Sequence, residues 1–428
     1  MLCGCIHNIK RFPKENHMKP KFICGYHKFL QSVVLAAFFG IFGSMSVGVA
    51  KEGPILIEDD VPIERGFARE TVVSGLAHPW GMVWLPDGDL LVTERPGRLR
   101  FVEILADGSG RLDPTPVAGL PPVFARGQGG LLDISLHPDF AKNKRVYFSY
   151  ADGSRSANRT RVARGVYEEG RIRDWEVIFE TNVTKSGTQH FGSRLCWLPD
   201  NTLLISVGDG GNPPVRLKGR FIREYAQDLS NQLGSVVRIN DDGSIPTDNP
   251  FKNQQGASLD IFSYGHRNIQ GLVYDAMRSK IWATEHGALG GDELNQPQAG
   301  QNYGWPTVTY SREYFDGSKI SPQVSKDGMV DPLVVWLTAI APSGLTLYSG
   351  DKFPDWKGDL FAGALIKQSV RHIDLNAAGE VTGQRELRFG ARVRDVRQGP
   401  DGFIYVLTDD DDGKLIRITP IEGGDMAP

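Results

Sequence analysis

The residues best suited to chemistry lie in a glycine-rich loop that follows a short apolar segment. The loop runs from Thr284 to Pro306, TEHGALGGDELNQPQAGQNYGWP, and contains five glycines and the adjacent carboxylates Asp292 and Glu293. Glycines allow the backbone to bend so that its carbonyl oxygens face inward. Calcium binds roughly six to eight oxygen ligands, which loop carbonyls and carboxylates can supply. The loop therefore predicts a calcium site, and a structural loop without an ion is the alternative.

A second set of polar residues stands beside strand-like segments in other parts of the chain. A histidine oriented by a carboxylate is a suitable general base near neutral pH. Arginines bind small anions through two parallel hydrogen bonds. Taken alone, each residue also has a structural explanation, such as a turn or a salt bridge to Asp395 or Asp409. Brought together, they would bind a small polyanion; the set comprises Gln128, His190, Asp209, Arg267, Asn268, Lys367, Arg392 and Arg394.

Several other kinds of site are disfavoured by the sequence. It lacks a G-x-G-x-x-G that opens a helix, a P-loop, an H-E-x-x-H and a G-x-S-x-G motif, so nucleotide-dependent, zincin-type and serine-hydrolase chemistry are not indicated. Its cysteine and histidine spacing does not match a zinc site. The formal net charge of −3 gives the whole chain no attraction for nucleic acid. The acidic run 409–412 is interpreted as a solvated turn.

The elements that must position these residues are recognisable as repeats. Each repeat is an apolar strand, a Pro-Asp or similar turn, and a second β-rich strand followed by a polar loop. Six copies begin at Trp84, Ser135, Trp197, Leu272, Asp351 and Gln398. Convincing amphipathic helices do not separate them, which predicts an all-β, six-bladed β-propeller over about residues 66–420. An eight-bladed propeller or a sandwich is the alternative. The long loops 209–235, 241–260 and 287–330 are expected to gather on the active-site face.

The N-terminus differs in character from the rest of the chain. Basic residues precede an apolar run that ends Val-Gly-Val-Ala, which is typical of a secretory signal peptide. We expect residues 1–50 to be a signal peptide cleaved after Ala50, residues 51–428 to form a single propeller domain, and the mature protein to be periplasmic without stable membrane insertion. An uncleaved anchor is the alternative. Only Cys196 remains in the mature chain, and its strand-like context predicts a buried, inert thiol.

Seven stretches of the chain, in this order, resemble the soluble quinoprotein aldose sugar dehydrogenases of the glucose/sorbosone dehydrogenase family. They are GQGGLLDISLHPDF, HFGSRLCWLPD, SVGDGG, YGHRNIQGL, EHGALGGDELN, NYGWP and RVRDVRQGPDGFIYVLTD. The resemblance covers nearly all of the mature chain. It implies a six-bladed propeller that binds pyrroloquinoline quinone (PQQ) and calcium and oxidises the anomeric carbon of aldoses to lactones.

The resemblance also implies roles for individual residues. His190 looks like the base that removes the proton of the anomeric hydroxyl, and Asp209 would orient it. The residues expected to contact the cofactor or substrate are Gln128, Arg267, Asn268, Tyr314, Lys367, Arg392 and Arg394. The carbonyls of Gly287 and Ala288 match ligands of the calcium that touches the cofactor, whereas Glu293 and the Tyr303 carbonyl match a second, structural ion.

The sequence departs from the family pattern at two positions. Ala288 stands where a proline is usual, which keeps the carbonyl ligand but removes some stiffness from the loop. Ser193 replaces a common glycine close to His190.

A Cys-x-x-Cys-His haem motif does not occur, so electrons are expected to pass to an external quinone or cytochrome. The alternative functions are a calcium-dependent propeller lactonase and a noncatalytic propeller that binds carbohydrate.

Overall fold

The computed structural model describes residues 53–58 and 60–421, and the predicted signal peptide lies outside this part of the chain. Two strands come first, β1 (Ile55–Ile57) and β2 (Phe67–Leu76). Six four-stranded antiparallel blades follow around a ring, the last of which includes β2. Among the described residues, no helix is long and apolar enough to cross a membrane. The six-bladed, all-β prediction is confirmed.

The bounds of the strands are as follows. Blade 1 contains β3 (Pro79–Trp84), β4 (Leu90–Glu94), β5 (Arg98–Ile104) and β6 (Gly110–Leu112). Blade 2 contains β7 (Leu131–Leu136), β8 (Arg145–Gly153), β9 (Asn158–Glu168) and β10 (Arg171–Glu180). Blade 3 contains β11 (Leu195–Trp197), β12 (Leu203–Val207), an inserted hairpin of β13 (Arg216–Leu217) and β14 (Arg220–Phe221), β15 (Ser235–Ile239) and β16 (Ile261–Tyr264).

The remaining blades follow the same order. Blade 4 contains β17 (Ile269–Asp275), β18 (Lys280–Glu285), β19 (Asp292–Asn295) and β20 (Val334–Trp336), with β1 added parallel to β20. Blade 5 contains β21 (Pro342–Leu347), β22 (Leu360–Ala364), β23 (Ser369–Leu375) and β24 (Val381–Arg388). Blade 6 contains β25 (Val393–Gln398), β26 (Ile404–Thr408) and β27 (Gly413–Pro420), and β2 pairs with β27 as its outer strand. Three short helices lie in connections: α1 (Phe140–Asn143) and the 3-10 turns Ile222–Gln227 and Pro354–Trp356.

The core lies between neighbouring blades. The second strands of blades 1, 3, 5 and 6, with sequences LLVTE, LLISV, LFAGA and IYVLT, are buried along their whole length because a blade packs on either side. Six apolar clusters fill the six junctions between blades. Cys196 lies in the junction between blades 3 and 4, where burial raises the pKa of its thiol to about 12. The thiol is therefore held protonated and unreactive at neutral pH.

The predicted repeats coincide with one particular turn of each blade. Five of the six repeats begin within the first strand of a blade, the repeat at Asp351 begins just after it, and all six continue through the turn into the second strand. Because neighbouring strands are antiparallel, these turns all leave the blade at one end. The connections from second to third strand, and from one blade to the next, emerge at the opposite end, which is called the site end below.

Two long loops depart from the expected arrangement. Residues 208–234 join the second and third strands of blade 3 and so lie at the site end. Residues 240–260 instead join the third and fourth strands of the same blade, which places their ends at the other end of the propeller. The expectation that all three long loops leave the propeller at one face was therefore wrong for this segment, and also for residues 296–333, which join the third and fourth strands of blade 4, since the sequence did not reveal which strand pairs these loops join. The 287–330 region is interrupted by β19, and residues 296–333 form its longer part.

Three buried charged residues and the partly exposed Arg397 tie the innermost strands together near the axis. Arg194 contacts Asp395 at 2.9 Å and Asp133 at 3.3 Å. Arg397 contacts the same two carboxylates at 3.1 and 3.0 Å, respectively. The residues come from blades 2, 3 and 6, so the network connects three parts of the ring. Two positive and two negative charges alternate, which compensates for their removal from water.

Replacing one carboxylate of this network should destabilise the protein. In Asp395→Asn, the buried guanidinium of Arg194 and the partly exposed guanidinium of Arg397 would share one carboxylate, and breaking the buried pair of Arg194 and Asp395 costs roughly 3 kcal/mol. We expect a lower urea midpoint in equilibrium unfolding. The matched control is Asp351→Asn, whose exposed carboxylate pairs with Lys357 on the surface and whose loss should leave the midpoint unchanged. Equal midpoints for the two variants would contradict the assigned role of the network.

Candidate functional site

A cavity of about 620 Å³ opens at the site end of the propeller. All six blades contribute to its wall, through blade-to-blade connections, second-to-third-strand connections and the first strands. Five of the residues singled out in the sequence line it: Gln128, Asn268, Tyr314, Arg392 and Arg394. Residues that the sequence analysis did not select also line it, among them His78, Trp80, Arg95, His286 and Asp409. The cavity thus collects polar groups that are far apart in the sequence.

His190 lies immediately behind this wall. Its neighbours Phe191 and Gly192 line the cavity, and its backbone N–H donates to the side-chain oxygen of Gln128 at 2.8 Å. The imidazole is 3% exposed, and Nδ1 is 2.6 Å from Oδ1 of Asp209. The backbone at His190 has a φ of +51°, a left-handed conformation that is uncommon outside glycine. This local strain is maintained by the surrounding hydrogen bonds, as is often the case at functional sites.

Asp209 is held from three sides. Besides the imidazole, its Oδ1 accepts a hydrogen bond from the Gly211 N–H at 3.0 Å, and its Oδ2 accepts one from the Trp305 indole at 2.8 Å. Trp305 belongs to the NYGWP stretch, whose sequence does not indicate that the indole contacts Asp209. The long connection after β19 brings it back to the site end, where its backbone N–H donates to the Gly265 carbonyl at 2.8 Å.

The electrostatic surroundings keep the imidazole neutral. Burial lowers the pKa of His190, the charge of Arg267 lowers it further, and Asp209 opposes both. Burial alone would raise the pKa of Asp209, but His190 and Arg267 together hold it below its usual value. An ionised carboxylate accepts a hydrogen bond from a protonated nitrogen, so Nδ1 carries the proton. Nε2 is then free to accept one, as a general base requires.

Arg267 and Asn268 are positioned by buried polar contacts. The Arg267 N–H donates to Glu285 at 2.7 Å, and its guanidinium donates to the His286 carbonyl at 3.0 Å. The guanidinium carbon also lies 5.3 Å from the centre of a Trp305 ring. Asn268 accepts a hydrogen bond from the Gly192 N–H at 3.1 Å, next to the histidine. The two residues therefore connect the imidazole side of the site with the glycine-rich loop.

A cluster of cations forms another part of the cavity wall. Arg394 contacts Asp409 at 2.6 Å, and Arg392 lies 3.8 Å from the same carboxylate oxygen. Arg95 joins them in the cavity wall, where burial lowers its pKa. Burial would raise the pKa of Asp409, but Arg394, His78 and Arg95 bring it down to about 2. The solvated-turn interpretation is therefore wrong for Asp409, whose side chain is only 10% exposed, although the rest of the acidic run is exposed.

Two predicted residues occupy more peripheral positions. Lys367 ends the stretch whose Leu365 and Ile366 line the cavity, but its ammonium group contacts Asp60 at 2.9 Å. Tyr314 lines the cavity and is 57% exposed, which places it near the opening. Their positions are compatible with contacts to a bound molecule, provided that Lys367 leaves Asp60.

In the glycine-rich loop, Asp292 braces the backbone. Its Oδ1 accepts from the Gly287 N–H at 2.7 Å, and its Oδ2 accepts from Ile340 and Ala341 at 2.8 and 2.7 Å. Burial raises its pKa to about 6, although the three backbone donors act in the opposite direction. Ala288 is buried, and its N–H donates to Ser311 at 3.1 Å. These contacts hold the two predicted carbonyl ligands in one fixed loop.

Glu293 and Tyr303 border a second, very small cavity. It measures about 10 Å³, and Glu285 and Gly287 also line it. Burial raises the pKa of Glu293, and the negative charge of Glu285 raises it further. Asn295 is the shared donor, at 2.8 Å from Glu285 and 3.0 Å from Glu293. A buried and a partly buried carboxylate beside this void offer oxygen ligands of the kind that a calcium ion takes.

Comparison with known proteins places this chain in a defined group. The sequence profile of glucose/sorbosone dehydrogenases matches residues 76–417. The chain is 56% identical over 355 residues to an uncharacterized protein of Synechocystis sp., covering 81% of this chain and 85% of the relative. It is 38% identical over 359 residues to the aldose sugar dehydrogenase YliI of Escherichia coli, covering 82% and 92%.

Solved structures give the same result. The soluble aldose sugar dehydrogenase of Escherichia coli in the apo-form has a TM-score of 0.77 at 37% identity, covering 83% of this chain and all of that one. The PQQ-bound aldose sugar dehydrogenase of Streptomyces coelicolor has a TM-score of 0.65 at 28% identity, covering 84% and 99%. The match of both sequence and fold over most of the chain shows that this protein belongs to the glucose/sorbosone dehydrogenase family.

Proposed function

We propose that this protein is a periplasmic, PQQ- and calcium-dependent dehydrogenase that oxidises the anomeric carbon of aldoses to lactones. The observation that carries the proposal is the sharing of one cavity wall by two kinds of group. Gln128, which holds the backbone of His190, lines the same cavity as Arg392 and Arg394. The segment that carries the proposed base and the proposed anion-binding cluster thus border the same cavity, which supports the proposal. The PQQ-bound state of the Streptomyces coelicolor relative supports the identity of the cofactor.

The residues of the cavity fit the proposed cofactor. PQQ carries three carboxylates, and Arg95, Arg392 and Arg394 offer positive charge in a cavity of about 620 Å³. Asp409 partly neutralises this cluster, so binding would require the arginines to share their hydrogen bonds between Asp409 and the cofactor. Lys367 would add a further positive charge on leaving the exposed Asp60, and surface ion pairs of this kind are weak.

The chain's own residues account for the movement of the proton. Bound PQQ would supply a quinone that accepts hydride, and calcium would polarise the quinone carbonyl. Nε2 of His190 would remove the proton of the anomeric hydroxyl, while Asp209 retains the hydrogen bond from Nδ1. The imidazolium formed in this step is stabilised by the ionised carboxylate at 2.6 Å. Trp305 and Gly211 keep that carboxylate fixed, so the base retains its orientation throughout.

The calcium ligands would come from the glycine-rich loop. The carbonyls of Gly287 and Ala288 would bind the ion beside the cofactor, with Asp292 fixing the loop rather than contacting the metal. Glu293 and the Tyr303 carbonyl would bind a second ion in the cavity of about 10 Å³. Burial raises the pKa of Glu293, and the negative charge of Glu285 adds to this effect. Calcium would relieve this repulsion and lower the pKa of Glu293.

Sugar oxidation should require PQQ and calcium together. We expect the purified protein to reduce an artificial electron acceptor with an aldose only when both are added, and the aldose to bleach the quinone absorption band. Hydrolysis of a sugar lactone with calcium alone would indicate the lactonase alternative instead. Sugar binding without turnover in the loaded protein would indicate the noncatalytic alternative. Export can be tested separately by cell fractionation and N-terminal sequencing of the mature protein.

Replacing the proposed base should remove most of the activity. Glutamine has a similar size to histidine but cannot accept a proton at neutral pH, so His190→Gln should lower kcat by at least about a hundredfold. Rates should be measured with PQQ and calcium at saturation, after absorbance titration has established that the variant still binds PQQ. His137→Gln is the matched control, because His137 lies between β7 and α1, in the connection from the first to the second strand of blade 2, away from the cavity. A wild-type rate in His190→Gln would exclude the proposed role.

Calcium removal should lower thermal stability through the site at Glu293. An ion that binds only the folded chain stabilises it by about 2.7 kcal/mol at a hundredfold excess over its dissociation constant. We expect chelation to lower Tm by several degrees and calcium to restore it. In Glu293→Gln the response to calcium should be smaller, whereas Glu169→Gln, which alters an exposed carboxylate, should respond like the wild type. Identical responses in all three proteins would argue against this ligand.

A further inference from the structure

A buried lysine lies behind the His190–Asp209 pair and has no part in the function proposed so far. Lys185 is only 4% exposed, and its ammonium nitrogen has no hydrogen-bond partner among the described residues. The nitrogen lies 4.0 Å from the centre of the Phe191 ring. Phe191 follows His190 and lines the large cavity, so the lysine is one side chain removed from the cavity. Burying an ammonium group without a hydrogen-bond partner raises the free energy of the folded chain, so its position requires an explanation.

The chain holds this lysine firmly in place. Its backbone forms two hydrogen bonds with Asn158, at 2.8 and 2.9 Å, which attach it to the start of β9. Its aliphatic stem packs against Gly210, where an added Cβ would lie 3.0 Å from Cδ of the lysine. Gly210 follows Asp209, so the stem passes directly beside the carboxylate-bearing segment. Lys185 and His190 also border the same narrow gap in the packing. The ammonium group is therefore near the pair, without a direct hydrogen bond to it.

Four ionisable side chains interact electrostatically with the His190 imidazole. They are Arg267, Asp209, Lys185 and His286. Burial lowers the pKa of Lys185 to about 7, and Asp209 acts in the opposite direction. The lysine is thus charged below neutral pH, which includes the range in which His190 would take up a proton. Within a buried site, a charge acts over several ångströms because water does not screen it.

We propose that Lys185 is a positioning residue that acts through space on the catalytic pair, favouring the unprotonated form of His190 and the ionised form of Asp209. A positive charge beside an imidazole disfavours a second positive charge on it, and a positive charge beside a carboxylate favours its ionisation. The benefit to sugar oxidation rests on the proposed function, but the effect on the pair does not. A lysine that only filled space would leave the protonation of His190 unchanged.

The direct test is a titration of His190 in the full chain without PQQ. Nitrogen-15-labelled histidine rings are followed by NMR in the wild type and in Lys185→Met, which retains an unbranched apolar stem but removes the charge. The His190 signal is identified by its loss in His190→Gln. We expect its titration midpoint to move to higher pH in Lys185→Met. Lys142→Met, which removes an 82%-exposed charge on α1, should leave the midpoint unchanged. An unchanged or lower midpoint in Lys185→Met overturns the proposal.

Stability as a function of pH provides a second, independent measurement. The pKa of Lys185 is about 7 in the folded chain and 10.5 ordinarily, so the folded chain binds fewer protons between these values. Wild-type stability should therefore rise relative to Lys185→Met as the pH increases from 7 towards 10. A constant difference across this range would show that the pKa of Lys185 is the same in the folded and unfolded chains, so that its ammonium group is hydrated and screened rather than buried beside the pair, which would overturn the proposal. Should Lys185→Met not fold, Lys185→Gln provides the neutral variant for both measurements.

Activity separates this inference from the proposed function. In the enzyme loaded with PQQ and calcium, the acid limb of the kcat/KM profile should move to higher pH in Lys185→Met, and Lys185→Arg should restore it. Absence of sugar oxidation in the wild type would overturn the proposed function, while a shifted His190 titration would still support the electrostatic role. An active wild type with an unshifted His190 in Lys185→Met would overturn the role of Lys185 alone.

Discussion

The alternation of strand direction within each blade is the constraint on which the site depends. Because neighbouring strands are antiparallel, every blade-to-blade connection and every second-to-third-strand connection must emerge at the same end of the ring. His190 and Arg267 come from the first kind of connection, and Asp209 and Asp409 from the second. None of these residues is adjacent to another in sequence, yet the topology places all of them at the same end of the ring. The rigid sheets then fix the spacing between groups that would otherwise lie on mobile loops.

Burial of charge recurs throughout the molecule, and it is handled in different ways. Near the axis, Arg194 and Asp395 belong to a network in which opposite charges alternate and compensate one another. At the arginine cluster, Asp409 neutralises only part of the positive charge, and around Glu293 the carboxylates are in excess. Charges that are not fully compensated inside a protein raise its energy unless a ligand of opposite sign completes them. The uncompensated regions therefore coincide with the places where an anion and a cation are proposed to bind.

Local signals in the sequence were sufficient for the blades but not for every contact. Pro-Asp and similar turns followed by apolar strands identified the first turn and the second strand of each blade, because that information lies within a few residues. The path of the long connection after β19 could not be predicted, since it is set by tertiary hydrogen bonds such as that from Trp305 to Gly265. The hydrogen bond from the Trp305 indole to Asp209 could therefore not be predicted. The burial of Lys185 could not be predicted for a different reason, because nothing in its immediate sequence indicates that a lysine will be buried.

The pairing of β2 with β27 makes the ring dependent on both ends of the domain. These strands are separated by most of the chain, and the outer edge of blade 6 is incomplete without β2. Blades 1 to 5 can form their internal hydrogen bonds as the polypeptide emerges, but the circle can close only after the last strand is available. Arg392 and Arg394 lie at the start of that same closing blade, whereas Arg95 follows β4 in blade 1. The anion-binding wall is therefore completed last, so a partly synthesised or C-terminally shortened chain that lacks blade 6 would have the base without two of its three arginines.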